Sequence, residues 1–124
     1  MNKKALIIVD HGSKLKDANH MLVEITELIK KKNDGVFDII TYCHMELAEP
    51  TIEQAFDDCV VKGASYIVVH PYFLAPGRHS TQDIPRMVEE AAMKHSNVTY
   101  KVTEPLGIHE KIIEVVLERS LKSS

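Results

Sequence analysis

The sequence predicts an α/β fold: a small open four-stranded parallel sheet with flanking helices, flavodoxin-like in arrangement. Two patterns predict it. Short continuous apolar runs, such as ALIIV and YIVV, read as strands covered on both faces. Longer segments with apolar residues at helical spacing lie between them, and the alternation repeats four times. Parallel strands joined by helices need right-handed crossovers, and the expected strand order is 2-1-3-4.

Residues 5–9 form the first expected strand. A helix over residues 14–32 follows, with Leu15, Ala18, Leu22, Ile25 and Ile29 on one stripe. Ser13 is its candidate N-cap, and Asn33 with Gly35 its candidate stop. Residues 36–43 read as the second strand. Pro50 suits the first turn of a helix ending at Lys62, with Gly63 just beyond. Ile52, Ala55, Phe56, Cys59 and Val60 form its inner stripe. Residues 66–69 are the third strand. A long loop, 71–83, leads to a helix starting near Pro85, with Val88, Ala91 and Ala92 on one face. Residues 98–102 are the fourth strand, and 107–121 hold the last helix. Ile112, Ile113, Val115, Val116 and Leu117 cover more than one face of it, so either the sheet covers it broadly or a second subunit does.

A chain of 124 residues is expected to be one domain, residues 1–124. Its hydrophobic content of 44% and charged content of 27% are ordinary for a globular protein. The net charge of −3 gives no bulk attraction to nucleic acid or anionic membrane, and neither is an expected partner. No apolar run reaches the roughly 18 residues of a membrane span. The N-terminal run is too short for a secretory signal. A cytoplasmic location is expected, or an organellar one if a transit peptide has been removed. Cys43 and Cys59 lack the spacing of a metal or redox pair and are expected as buried, reduced thiols.

Chemistry concentrates in two segments, VDHGS at 9–13 and HPYFLAPGRHSTQDIP at 70–85. Each follows an expected strand, and each puts a histidine, His11 or His79, into the turn beyond it. In the order 2-1-3-4 the topology reverses between strands 1 and 3, and such folds bind ligands in that crevice. Two imidazoles there can hold a divalent metal, and neutral imidazole is the commonest transition-metal ligand. Gly12 lets the backbone turn tightly after His11. Glu46 lies two residues after His44, so both fall on one side if the strand continues. Glu46 can complete the metal site or accept protons. His70 ends strand 3 as a pocket wall. Arg78 and Arg86 can pair with carboxylates of a substrate. Tyr72, Phe73 and Leu74 give the same loop an apolar side. Ser13 and Ser80, next to the turns that carry the histidines, join His44, His70 and Arg78 as substrate-binding candidates. Such a slot suits a large flat ligand with peripheral carboxylates.

No Walker pattern, GxGxxG or GxSxG is present, which argues against phosphate binding of those kinds and against Ser13 as a hydrolase nucleophile. A histidine phosphatase is prompted by Arg78–His79, but its Arg-His-Gly order after the first strand is absent.

The chain is similar to the class II tetrapyrrole chelatases of the CbiX/SirB type. VDHGSK, MELAEP at 45–50, PYFLAPGRHSTQDIP at 71–85 and EPLGIHEKIIEVV at 104–116 carry the likeness, and PGRH…DIP is its specific part. The closest form is the short, single-domain one. The resemblance implies a chelatase-like fold and insertion of Co²⁺, Fe²⁺ or Ni²⁺ into sirohydrochlorin, on routes to cobalamin or sirohaem. It implies that His11 and His79 handle the metal, that Glu46 lines the same cleft, and that the protein is a homodimer. His44 and His70 depart from the aromatic or small residues expected there. The histidine-rich run and C-terminal cysteine cluster of some relatives are missing, so no iron–sulfur centre or other tightly bound cofactor is implied. The rival reading is a metal chaperone or sensor without turnover. The same histidines would serve it, but it would not need the apolar Tyr72–Leu74 side.

Overall fold

The computed structural model describes residues 2–122, apart from the side chain of Ser80. Four strands, β1 (Lys3–Asp10), β2 (Ile39–His44), β3 (Ala64–Pro71) and β4 (Thr99–Val102), form one all-parallel sheet in the order β2-β1-β3-β4. The helices are α1 (Lys16–Lys32), α2 (Ile52–Val61), α3 (Ile84–Ala92) and α4 (Glu110–Leu121), with one π-helical turn at His79–Asp83 running directly into α3. Class and strand order are those the alternation predicts.

The core follows from the period-two alternation of the central strands. Ala5, Ile7 and Val9 of β1, with Ile67 and Val69 of β3, are buried against Ile52, Ala55, Phe56 and Cys59 of α2 and Ile84, Val88 and Ala91 of α3. Ile8 and Ile40 are buried on the other face, where α1 lies with Leu22 and Thr26 buried.

Several boundaries move for local reasons. β2 begins at Ile39 rather than at 36. Asn33 brackets the approach, donating from Nδ2 to the Phe37 carbonyl and accepting from the Phe37 N–H, which takes these groups out of any ladder. β2 also runs one residue further, to His44. α1 begins at Lys16, and Ser13 is not its N-cap. Asn19 reaches back to both the N–H and the carbonyl of Ser13, while the Ser13 Oγ accepts from Leu15 N–H. Leu15 and Ala18 therefore fall outside the buried stripe. Pro50 lies before α2. Its cap is Thr51, in a reciprocal capping box with Gln54 that the pattern Thr-x-x-Gln encodes.

The last helix is the largest departure. No residue of α4 is buried, and Ile113, Val116 and Leu117 are about half exposed. The sheet does not cover it. On the α1 side of the sheet an open apolar cavity of about 540 Å³ is lined by Leu6, Ile25, Leu28, Ile29, Val36, Phe37 and Tyr72, among others. Among the described residues no helix is long and apolar enough to cross a membrane. Cys43 and Cys59 are free and buried, as expected. Burial pushes the Cys59 thiol up to about 12, and burial together with Asp10 raises that of Cys43 as well.

Candidate functional site

The site is built where the turns after β1, β2 and β3 meet at the carboxyl edge of the sheet. These turns are laced by backbone hydrogen bonds. Tyr72 N–H donates to the Val9 carbonyl at 2.7 Å, Met45 N–H to Asp10 at 2.8 Å and Glu46 N–H to His11 at 3.0 Å. The chain after β2 thus continues to follow the chain after β1, and this brings Glu46 to His11. Gly12 permits the approach. Its φ is +93°, and a Cβ there would lie 1.8 Å from the Glu46 carbonyl oxygen.

The rings of His11 and His79 come together with centroids 4.9 Å apart, inclined by 59°. Both side chains remain open to solvent, 42% and 46% exposed, so a ligand can reach them. Their hydrogen bonds differ. His11 Nε2 lies 3.0 Å from Glu46 Oε1, and its Nδ1 lies 3.1 Å from the Gly12 carbonyl oxygen. Both ring nitrogens therefore face acceptors. His79 Nδ1 donates to Asp83 Oδ2 at 2.9 Å, one helical turn on, and Arg86 approaches the other oxygen of Asp83 at 3.6 Å. Phe73 also stacks on His79, with centroids 6.5 Å apart. A histidine whose Nδ1 donates to a carboxylate has its Nε2 lone pair aimed outward, the usual state of a metal-ligating imidazole.

Among the described residues no three His, Cys, Asp or Glu side chains form a ready-made metal cage. The expected set of His11, His79 and Glu46 lies together at this edge, with Glu46 bonded to His11 Nε2 and the two rings adjacent.

Other expected site residues sort differently. His44 is buried, its Nδ1 donating to Asp10 Oδ1 at 2.6 Å, so it does not present itself to a substrate. His70 is half-buried and donates from Nδ1 to Thr103 Oγ1 at 2.9 Å; burial lowers its pKa from the ordinary histidine value. Tyr72 lines the apolar cavity beside α1, whereas Phe73, whose N–H bonds back to the Pro71 carbonyl at 3.0 Å in a tight turn after β3, lies against His79. Phe73 alone of the apolar trio stacks on a histidine of the pair, and Leu74 is exposed. Arg78 is exposed at the start of the π-helical turn, and Ser13 is half-buried in its turn. The Ser80 side chain lies outside the described part. Asp10 and Asp83 hold histidines of this edge and were not read from the sequence. His79 and Asp83 stand at i and i+4, a signal that shows only once the helical turn is known to begin before Pro85.

Known proteins resemble this chain over nearly its whole length. A protein-family model described as CbiX matches residues 5–123. The chloroplastic sirohydrochlorin ferrochelatase of Arabidopsis thaliana is 46% identical over 114 residues, 92% of this chain and 50% of that protein. The sirohydrochlorin cobaltochelatase of Methanocaldococcus jannaschii is 33% identical over 141 residues, 94% of this chain and 97% of that protein. The crystal structure of the sirohydrochlorin chelatase SirB from Bacillus subtilis subspecies spizizenii, in complex with cobalt, superposes with a TM-score of 0.89 at 32% identity, covering 95% of this chain and 50% of that one. The chain spans about half the length of the Arabidopsis relative and nearly the whole of the Methanocaldococcus one.

Proposed function

The chain belongs to the CbiX family, and on that premise we propose that it is a sirohydrochlorin chelatase that inserts a divalent metal, Co²⁺ or Fe²⁺ and also Ni²⁺, into the macrocycle. The observation that carries this reading is the open His11–His79 pair at the topological switch point, with Glu46 on one ring and Asp83 on the other. The metal is a substrate here, and so is the tetrapyrrole.

The reaction exchanges two pyrrole N–H protons for one metal ion. The hydrogen bonds divide the labour. His79 delivers the metal through Nε2, with Asp83 fixing its tautomer and ring orientation. His11 takes the protons one at a time: the imidazolium finds an acceptor for each N–H, in Gly12 and Glu46, and hands its proton through the exposed Glu46 carboxylate to water before taking the second. An imidazole cannot accept a proton on a nitrogen that is coordinating metal, which is why two rings serve better than one. Phe73 supplies an apolar surface beside His79, and Arg78 a cation for a peripheral carboxylate.

A homodimer is part of the proposal. Its support is the apolar side of α4, which none of the described residues buries. The location is cytoplasmic or organellar, and the plastid in the Arabidopsis relative's name supports the second. The test is incubation with sirohydrochlorin and, separately, Co²⁺, Fe²⁺ and Ni²⁺, following the absorption spectrum. Acceleration over the protein-free rate is expected. Metal binding without acceleration would instead favour a chaperone or sensor.

A further inference from the structure

The contact between His11 and Glu46 is half exposed on both sides, 42% and 52%. Exposed charge pairs hold geometry poorly by themselves, because water competes for both partners. The backbone bonds from Met45 and Glu46 bring the two turns together, and a buried side-chain contact lies beneath them. The described residues bury two polar side chains, Thr26 and His44. Thr26 only bonds back within its own helix. His44 joins two strands, donating to Asp10, the residue opposite it in the β1–β2 register. Asp10 immediately precedes His11, and His44 stands two residues before Glu46. The His44 N–H donates to the Pro50 carbonyl at 2.8 Å, closing the loop that carries Glu46. A Cβ on Gly12 would lie 3.1 Å from the His44 Cβ, so the His11 turn rests on this side chain. The edge of Tyr42 packs on the ring with centroids 5.8 Å apart. An apolar residue would fill the same space without the desolvation of an imidazole, but it would leave Asp10 without this bond and the end of β2 untied.

We propose that Asp10 and His44 are positioning residues, a buried clasp that holds the end of β2 beside β1 and thereby keeps Glu46 on His11. Its kinetic consequence rests on the chelatase reading; its structural consequence does not. The test compares His44→Phe, which fills the space without donating, with His44→Gln, whose amide can donate to Asp10. Two readouts are used: hydrogen exchange at individual backbone amides, and kcat and KM for Co²⁺ insertion into sirohydrochlorin. In His44→Phe, the Met45 and Glu46 amides are expected to exchange at least about tenfold faster while those of Ile7 and Ile8 stay protected. Its kcat should fall by about 10- to 100-fold, up to the lower end of what a positioned general base contributes, with little change in KM for the tetrapyrrole. His44→Gln should recover most of both. Unchanged exchange and kcat in His44→Phe would overturn the proposal. So would equal loss of protection across the whole sheet, which would make the pair a core prop only. If His44→Phe does not fold, Asp10→Ala against Asp10→Asn gives the same comparison. A wild-type protein that inserts no metal would refute the chelatase reading, and the exchange data would still decide this one.

Discussion

His79 and Asp83 are joined through Nδ1 and Oδ2 at 2.9 Å across the first turn of a helix, and this fixes which nitrogen of His79 is left for a metal. The division of roles makes distinct predictions for the two histidines. His79→Ala should weaken Co²⁺ binding, measured by titration without tetrapyrrole, and Asp83→Asn should weaken it by a smaller factor, about tenfold. His11→Ala should bind Co²⁺ nearly as well as wild type yet insert it at least about 100-fold more slowly, the scale of a lost general base. Equal loss of metal affinity in His11→Ala and His79→Ala would count against the division.

Gly12 should tolerate no side chain. Its positive φ and the 1.8 Å overlap of any Cβ with the Glu46 carbonyl act together. Gly12→Ala should lower stability by about 2 kcal/mol, within the range for a strained backbone position. It should also abolish most insertion, because relief of the overlap means parting Glu46 from His11. Urea unfolding and insertion rates on the same preparation check both effects. Normal values for each would show that the two turns are free to separate.

His70 should make stability pH-dependent. Burial lowers its pKa in the folded protein, so the unfolded chain binds this proton first as pH falls. The stability is fully present above the ordinary histidine value of about 6.5 and is lost as pH drops through that value towards the lower folded one. The urea midpoint should fall between pH 8 and pH 5.5, and His70→Gln should flatten that fall. Parallel pH curves for the two proteins would remove His70 from the account.

The exposed side of α4 should govern assembly. Sedimentation at tens of micromolar, where a standard-size interface holds, is expected to show a dimer. Val116→Glu with Leu117→Lys should give a folded monomer, since neither residue is buried within its own chain. A wild-type monomer at that concentration, or a double variant that stays dimeric, would exclude α4 as the interface.

The alternation of apolar runs and helical stripes was enough to determine the sheet, its order and the two turns that reach the switch point. That information is local, and the handedness of crossovers removes nearly every competing topology. His11 and His79 were legible for this reason. The tertiary structure decided what each ring nitrogen faces. Whether His44 lines a cleft or lies beneath it depends on where β2 stops, and the capacity of Asn33 to draw off backbone groups, which delays the start of β2, belongs to the folded loop. Asp83 became a partner of His79 only because the helix starts before Pro85, where the prolines and glycine of the preceding segment read as loop. Tyr72 and Phe73 parted to opposite sides at a tight turn just past β3, where the Phe73 N–H bonds back to the Pro71 carbonyl. The apolar side of α4 was visible in the sequence; that the sheet leaves it bare was not, because its surroundings depend on the path of the chain in three dimensions and not on its own periodicity.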